Sequence, residues 1–353
     1  MKLLKLIIPM LGILLLGYLI GSLGSDQIVR HLDVLKWTFP QVLILAFSWH
    51  ITNSIAWRFA FMPDSPTPTI KTLFKGKLAG EAVSQITPLA NLGGEPLKAY
   101  LLRKTTPSSD ALAAVVVNKA AQTLTGIAFS ALGLSLVLLQ WDLPLTIPAP
   151  IQIGLVSLMT LAILVVLIVW KKQTHLFSSI LNLIGKLGIS TVRVEQRMDN
   201  ALSIDARIQQ FYQSHKFRFT AVLFFHSLGW MLGTCETYII LRTLEPSFNF
   251  SIAFLITSLT VIINTLFVFM PSNIGVLEGG QVFLMTTLGI NPAIGLSLGI
   301  TKRMRKTFWL VVGWIFLSRL SREALDNELL ERRPLRQKTT VSSANIPQEL
   351  HYN

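Results

Sequence analysis

The chain has 353 residues, of which 51% are hydrophobic and 14% charged, and its formal net charge is +13. A mean hydropathy of +0.55 excludes a soluble globular domain of this size and points to an integral, all-α membrane protein. The single cysteine, Cys235, excludes an internal disulfide and a cysteine-based metal cluster, and the six histidines show no metal-ligand spacing.

The first apolar run, residues 3–23, follows Lys2 and Lys5. It is longer than a signal-peptide core and no small-x-small cleavage pattern follows it, so it predicts an uncleaved first helix. Further spans are predicted at 39–61, 109–140, 150–170, 217–241, 250–270 and 292–318, each near the ~20 residues that cross a bilayer as a helix. Two more stretches, 78–97 and 271–290, are apolar enough to enter the bilayer but are interrupted by Gly, Pro and a carboxylate. The expected architecture is a polytopic bundle of about 7–8 transmembrane helices with two broken, re-entrant segments, filling residues 1–320.

Basic residues flank 78–97 on both sides (Lys71, Lys75 and Lys77; Lys98, Arg103 and Lys104), and seven Lys/Arg fall in 171–216. The positive-inside rule places these loops and the N-terminus in the cytoplasm, and predicts that 78–97 enters and leaves by the same face. Within 171–216, Leu176, Ile180, Leu183 and Leu187 recur at helical spacing beside Lys171, Lys172 and Lys186, which predicts a cytoplasmic amphipathic segment on the membrane surface. Residues 321–353 are polar and aperiodic and are expected to form a disordered tail.

Three polar landmarks recur at one offset. Pro88 and Pro271, Glu95 and Glu278, and Lys119 and Lys302 are each 183 positions apart. Each copy, about 70–140 and 253–318, reads as an apolar helix, a Pro- and Gly-containing break, a glutamate, a short helix and a long helix with a cation in it. Paired, interrupted apolar segments in corresponding halves point to a transport site near the bilayer midplane. Inverted and parallel arrangements of the copies both remain open.

The candidate site follows from these landmarks. In the first copy it comprises Pro88, Gly93, Gly94, Glu95 and Lys119; in the second, Pro271, Asn273, Gly275, Glu278, Gly279, Lys302 and Arg303. Each glutamate takes two readings: a cap for the following helix, whose free amides favour negative charge, or part of a break whose glycines let a ligand's polar head approach the backbone. Each cation also takes two readings, a structural partner of its glutamate or a cradle for an anionic head group, and the TKRMRK run takes a third, a cytoplasmic helix end. A cation deep in a span needs one or the other. Glu278 is expected to act as a unit with Lys302 and Arg303. His50, Asn53, His226, Glu236 and Asn264 read as interhelical hydrogen-bonding groups; Lys77, Glu81 and Gln85 read as a cavity mouth or an i,i+4 ion pair. The chain has no Gly-x-x-x-x-Gly-Lys-Ser/Thr loop, nucleophile elbow or dinucleotide fingerprint, so no cofactor and no nucleic-acid partner is expected.

The stretches "TPLANLGGEPLKAYLLRK" (87–104) and "FMPSNIGVLEGGQVFLMTTLGI" (269–290) resemble the flippase-like membrane family that includes the transmembrane half of lysylphosphatidylglycerol synthases. The second, continuing into "GLSLGITKRMRKTFWLVVGW" (295–314), is most similar to the branch of hopanoid-biosynthesis-associated membrane proteins. The resemblance covers most of 1–320 and marks Pro88, Gly93, Gly94 and Glu95, and Pro271, Gly275, Glu278 and Gly279, as motif positions. It implies a multi-pass protein of the bacterial inner membrane whose partners are membrane lipids and, in a rival reading, lipid-biosynthesis enzymes. The soluble aminoacyl-transferring domain of the synthases has no counterpart here. The expected function is therefore movement of an amphiphilic lipid between leaflets, a hopanoid or an anionic lipid being the candidates. The alternative is an accessory subunit or enzyme of lipid modification.

Overall fold

The computed structural model describes residues 14, 17–87, 93–138, 149–172, 191–267 and 273–342. Among them every regular element is helical. In chain order these are α1 (Ser25–Leu35), α2 (Phe39–Phe59), α3 (Ile70–Ile86), α4 (Glu95–Leu101), α5 (Ser108–Leu138), α6 (Ala149–Lys172), α7 (Thr191–Ser214), α8 (Lys216–Leu244), α9 (Phe250–Leu266), α10 (Val276–Thr287) and α11 (Pro292–Ser342). By length and composition alone, Ser108–Ser135 within α5 is long and apolar enough to cross a membrane, and Phe250–Leu266 is a shorter apolar helix. Several of the other long helices carry ionised side chains: Arg218, Glu236 and Arg242 in α8, and four cations in the TKRMRK run of α11.

Helices α3 and α9 begin the two copies and match closely. Each has 17 residues, and each starts at a side-chain cap: Thr72 N donates to Thr69 Oγ1 at 3.3 Å, and Ile252 N donates to Asn249 Oδ1 at 3.0 Å. A cap oxygen satisfies one of the amides that a first helical turn leaves free. The caps lie 180 positions apart, whereas Glu95 and Glu278 lie 183 apart, so the break is three residues longer in the second copy. Packing is exchanged between the copies: α3 lies against α11, and α9 against α5. Equivalent positions make these contacts. Ser130 of α5 donates to the Ser258 carbonyl of α9 at 3.2 Å. Gly313 of α11 approaches the Leu78 carbonyl of α3 so closely that a Cβ there would lie 2.4 Å from the oxygen.

Two apolar cores bracket a polar layer. One gathers Trp57, Leu73, Ala114, Ile208, Phe211 and Val222. The other gathers Val42, Leu134, Ile240, Ile252, Met285 and Leu298. Along α2 and α8 the buried polar groups His50, His226 and Glu236 fall between residues of the two cores, and on α5 the half-buried Asn118 and Lys119 sit beside Val117 and Ala121 of the first. The layer between them therefore carries the ionised side chains.

Two expectations about the ends of elements change. The segment 171–216 includes a helix, α7, whose Ala201, Ile204, Ile208 and Phe211 are buried and which packs on α5; its predicted surface helix at 176–187 lies outside the described residues. The last helix does not stop near 318 but runs to Ser342. The strong helix formers Glu323, Ala324, Leu325, Glu328, Leu329, Leu330 and Glu331 carry it through residues read from sequence as disordered.

Candidate functional site

The first break lies between α3 and α4. Gly94 sits against α3: its amide donates to Ser84 Oγ at 3.0 Å, and a Cβ there would collide with the Gly80 carbonyl oxygen. Only glycine lets the chain turn so close to the helix it has just left. The turn places Glu95 in the first turn of α4, where the free amides favour a carboxylate. Its Oε1 lies 2.9 Å from Lys98 Nζ and 3.6 Å from Lys119 Nζ. Lys119 also donates to Gln122 Oε1 at 3.3 Å.

A second ionic group adjoins it on α2 and α3. Lys77 Nζ is 2.5 Å from Glu81 Oε1, 2.9 Å from His50 Nδ1 and 4.2 Å from the centre of the Trp49 ring. An ammonium has only donors, so Nδ1 of His50 accepts and its ring proton sits on Nε2. Lys77 and His50 are both buried. His226 Nε2 and Asn118 Oδ1, at 2.9 Å, add a neutral pair beside Lys119.

The second break is built differently. Gly275 adopts φ +78°, a left-handed conformation that favours glycine. Its amide donates to Glu278 Oε2 at 3.1 Å, so the third residue of α10 caps the backbone that enters the helix. Arg303 then grips the same carboxylate through two nitrogens: Nε on Oε1, and Nη2 on Oε2 at 2.9 Å. Nη2 also donates to the Asn273 carbonyl at 2.8 Å, and the Asn273 amide donates to Asn264 Oδ1 at 3.1 Å. Glu278 is fully buried. A planar fork on a desolvated carboxylate, with a backbone amide on one of its oxygens, suits a buried ion pair.

Lys302 takes no part in that pair. It is buried and forms no hydrogen bond or ion pair among the described residues; Glu236 is the carboxylate within its electrostatic reach. Glu236 instead meets Arg305 through one contact, Oε2 to Nη1 at 2.7 Å, leaving Glu236 Oε1 and Arg305 Nε buried without partners among the described residues. Arg305 is within charge–charge reach of His50, and Lys306 is within reach of both Glu278 and Glu81. The ionic groups of the two copies thus form one connected layer.

Of the residues singled out by sequence, the structure gathers Gly93, Gly94, Glu95 and Lys119 at the first break, and Asn273, Gly275, Glu278, Gly279 and Arg303 at the second. Pro88 and Pro271 lie outside the described residues. Glu278 pairs with Arg303 and not with Lys302, because neighbouring residues on a helix point about 100° apart. Sequence reasoning did not place Lys98 in the site, although its i,i+3 spacing from Glu95 was a usable signal. The Glu236–Arg305 contact spans 69 positions and has no local signature.

The sequence profile described as "Lysylphosphatidylglycerol synthase TM region" matches residues 3–314. The chain belongs to that family. Among the relatives of this family member is a protein of Methanothermobacter thermautotrophicus described as "UPF0104 membrane protein", 22% identical over 317 residues that cover 86% of this chain and 91% of the relative. No solved structure matches the chain. Together with the helical fold, family membership makes this an all-α membrane protein related to a lipid-synthase membrane region.

Proposed function

We propose that the protein is a multi-pass protein of the cytoplasmic membrane that moves an amphiphilic lipid between leaflets, its polar head passing through the ionic layer at the two breaks. The carrying observation is the charge balance of that layer. Among the described residues, Lys77, Lys98 and Lys119, with Lys302, Arg303, Arg305 and Lys306, lie within reach of four carboxylates: Glu81, Glu95, Glu236 and Glu278. An excess of positive charge inside a membrane protein is costly unless water or a ligand compensates it, and an anionic head group supplies that compensation. Lysine transfer is no part of this reading. A hopanoid remains a candidate through the likeness of 269–290 and 295–314, and a hopanoid bearing an anionic head would satisfy both considerations.

The test is reconstitution of the purified protein into vesicles carrying a fluorescent phospholipid, with a membrane-impermeant quencher added outside. Label initially in the inner leaflet is expected to become quenchable. Quenching no faster than in protein-free vesicles, with the protein folded and inserted, would overturn the transport reading in favour of an accessory role beside lipid-modifying enzymes.

A further inference from the structure

Building on that reading, we propose that the Glu95–Lys98–Lys119 cluster at the first break binds a phosphate group, with the two ammonium groups as its ligands and Glu95 as the carboxylate that holds them in the ligand's absence. Three observations carry this. First, one glutamate oxygen serves two cations from different elements, at 2.9 Å from α4 and 3.6 Å from α5. A tetrahedral phosphate presents several acceptor oxygens and can meet both ammonium groups at once, which one carboxylate oxygen does less well. Second, the Lys119 side chain is 31% exposed whereas those of Glu95 and Lys98 are 13% and 11% exposed. The cluster is therefore open on the α5 side, where Asn118, Gln122 and His226 add neutral polar groups.

Third, the fold does not need the Lys98 charge. Lys98 is equivalent to Gln281 by the 183-position offset, and Gly80, against whose Cα the Lys98 stem packs, is equivalent to Thr260 by the 180-position offset that relates α3 to α9. In the second copy Gln281 Nε2 donates to Thr260 Oγ1 at 2.8 Å, a neutral contact in the same place. The first copy replaces that contact with a glycine and a lysine. It gains a cation that its own carboxylate must share with Lys119, while Lys77 beyond it is already matched by Glu81. The local balance is one positive charge more than the carboxylates supply, which matches a phosphate head that carries net negative charge and not a zwitterionic one. The second break offers no comparable group, because Arg303 and Gly275 already occupy both oxygens of Glu278.

The experiment measures binding to the full-length protein in phosphatidylcholine nanodiscs by thermophoresis. The probes are short-chain phosphatidic acid, short-chain phosphatidylcholine and inorganic phosphate. The variants are K98Q, K119Q and, as an exposed control at the start of α3, K71Q. Phosphatidic acid is expected to bind, K98Q and K119Q each to weaken it tenfold or more, and K71Q to match wild type. The neutral Gln281 of the second copy makes K98Q a fold-compatible change, and K119Q provides a second route should it fail to fold. Phosphatidic acid binding well above inorganic phosphate assigns the site to a lipid head, and equal affinity assigns it to free phosphate. Indifference to both lysine substitutions, or phosphatidylcholine binding as tightly as phosphatidic acid, would overturn the proposal. Scrambling that persists with lysine-independent binding would defeat the phosphate site and leave transport standing. Lysine-dependent binding without scrambling would do the reverse.

Discussion

The two breaks share a plan and differ in chemistry. Both put a glutamate in the first turn of a short helix after a glycine turn, and both bring a cation from the following long helix toward it. At the second break the cation is an arginine, the carboxylate is fully buried, and its contacts are closed by a backbone amide. At the first break the cations are lysines, the carboxylate is shared, and one lysine reaches the surface of the cluster. A guanidinium fork fixes geometry, whereas an ammonium on a flexible stem is a mobile, strongly hydrated point charge. One break thus holds a closed, buried pair and the other a shared and partly exposed one, and the difference predicts opposite responses to substitution.

The largest effect should come from the fixed pair. Glu278→Gln or Arg303→Met leaves an uncompensated buried charge or its unsatisfied partner, and each should cost on the order of 3–5 kcal/mol. The double variant should recover much of that loss, read as a detergent-solubilised thermal unfolding midpoint. At the first break, Glu95→Gln should cost less, about 1–2 kcal/mol, because water and Gln122 can solvate what it releases. Equal losses at the two glutamates would break the comparison.

Lys302 sharpens it further. A buried ammonium without a direct carboxylate partner destabilises the fold that holds it. Lys302→Met should therefore leave the unfolding midpoint unchanged or raise it, while lipid scrambling falls. A drop comparable to that of Arg303→Met would show that Lys302 belongs to the fixed pair after all.

The helices were largely legible because their apolar runs are long, and glutamate, proline and lysine are rare enough in such a sequence to mark the two breaks. The pairing was not. Offset arithmetic selects Lys302 as the counterpart of Lys119, yet the second break turns a different residue of the TKRMRK run toward its glutamate, and a single step along a helix redirects a side chain by about 100°. Since α3 and α9 align at 180 positions and the glutamates at 183, the extra residues lie in the break itself, where sequence gives no geometry. The helix past residue 318 was missed for another reason: polarity suggested disorder, while residue-by-residue propensity favoured helix.

The smallest effect lies outside the ionic layer and serves as its control. Arg207 of α7 reaches Asp64, in the loop before α3, at 2.9 Å, and Asp110, at the start of α5, at 2.8 Å. Asp110 is buried and also receives the Ser65 hydroxyl, whereas Asp64 is exposed. The hydrogen bond from Arg207 holds the Asp64 carboxyl below its ordinary value of 3.8. A carboxylate whose folded pKa is depressed contributes stability that is present above its unfolded pKa and is lost as pH falls through the folded one. Asp64→Asn should therefore leave the unfolding midpoint near wild type at neutral pH, since exposed pairs contribute little. Whatever small difference exists should begin to shrink as pH falls below about 3.8, where the unfolded carboxyl protonates, and should be gone only below the lower pKa that Asp64 has in the fold. Lipid scrambling should not change. A large loss at neutral pH, rivalling that of Glu278→Gln, would mean that the loop and α7 are held by this contact rather than by the apolar face of Ile204, Ile208 and Phe211 against α5.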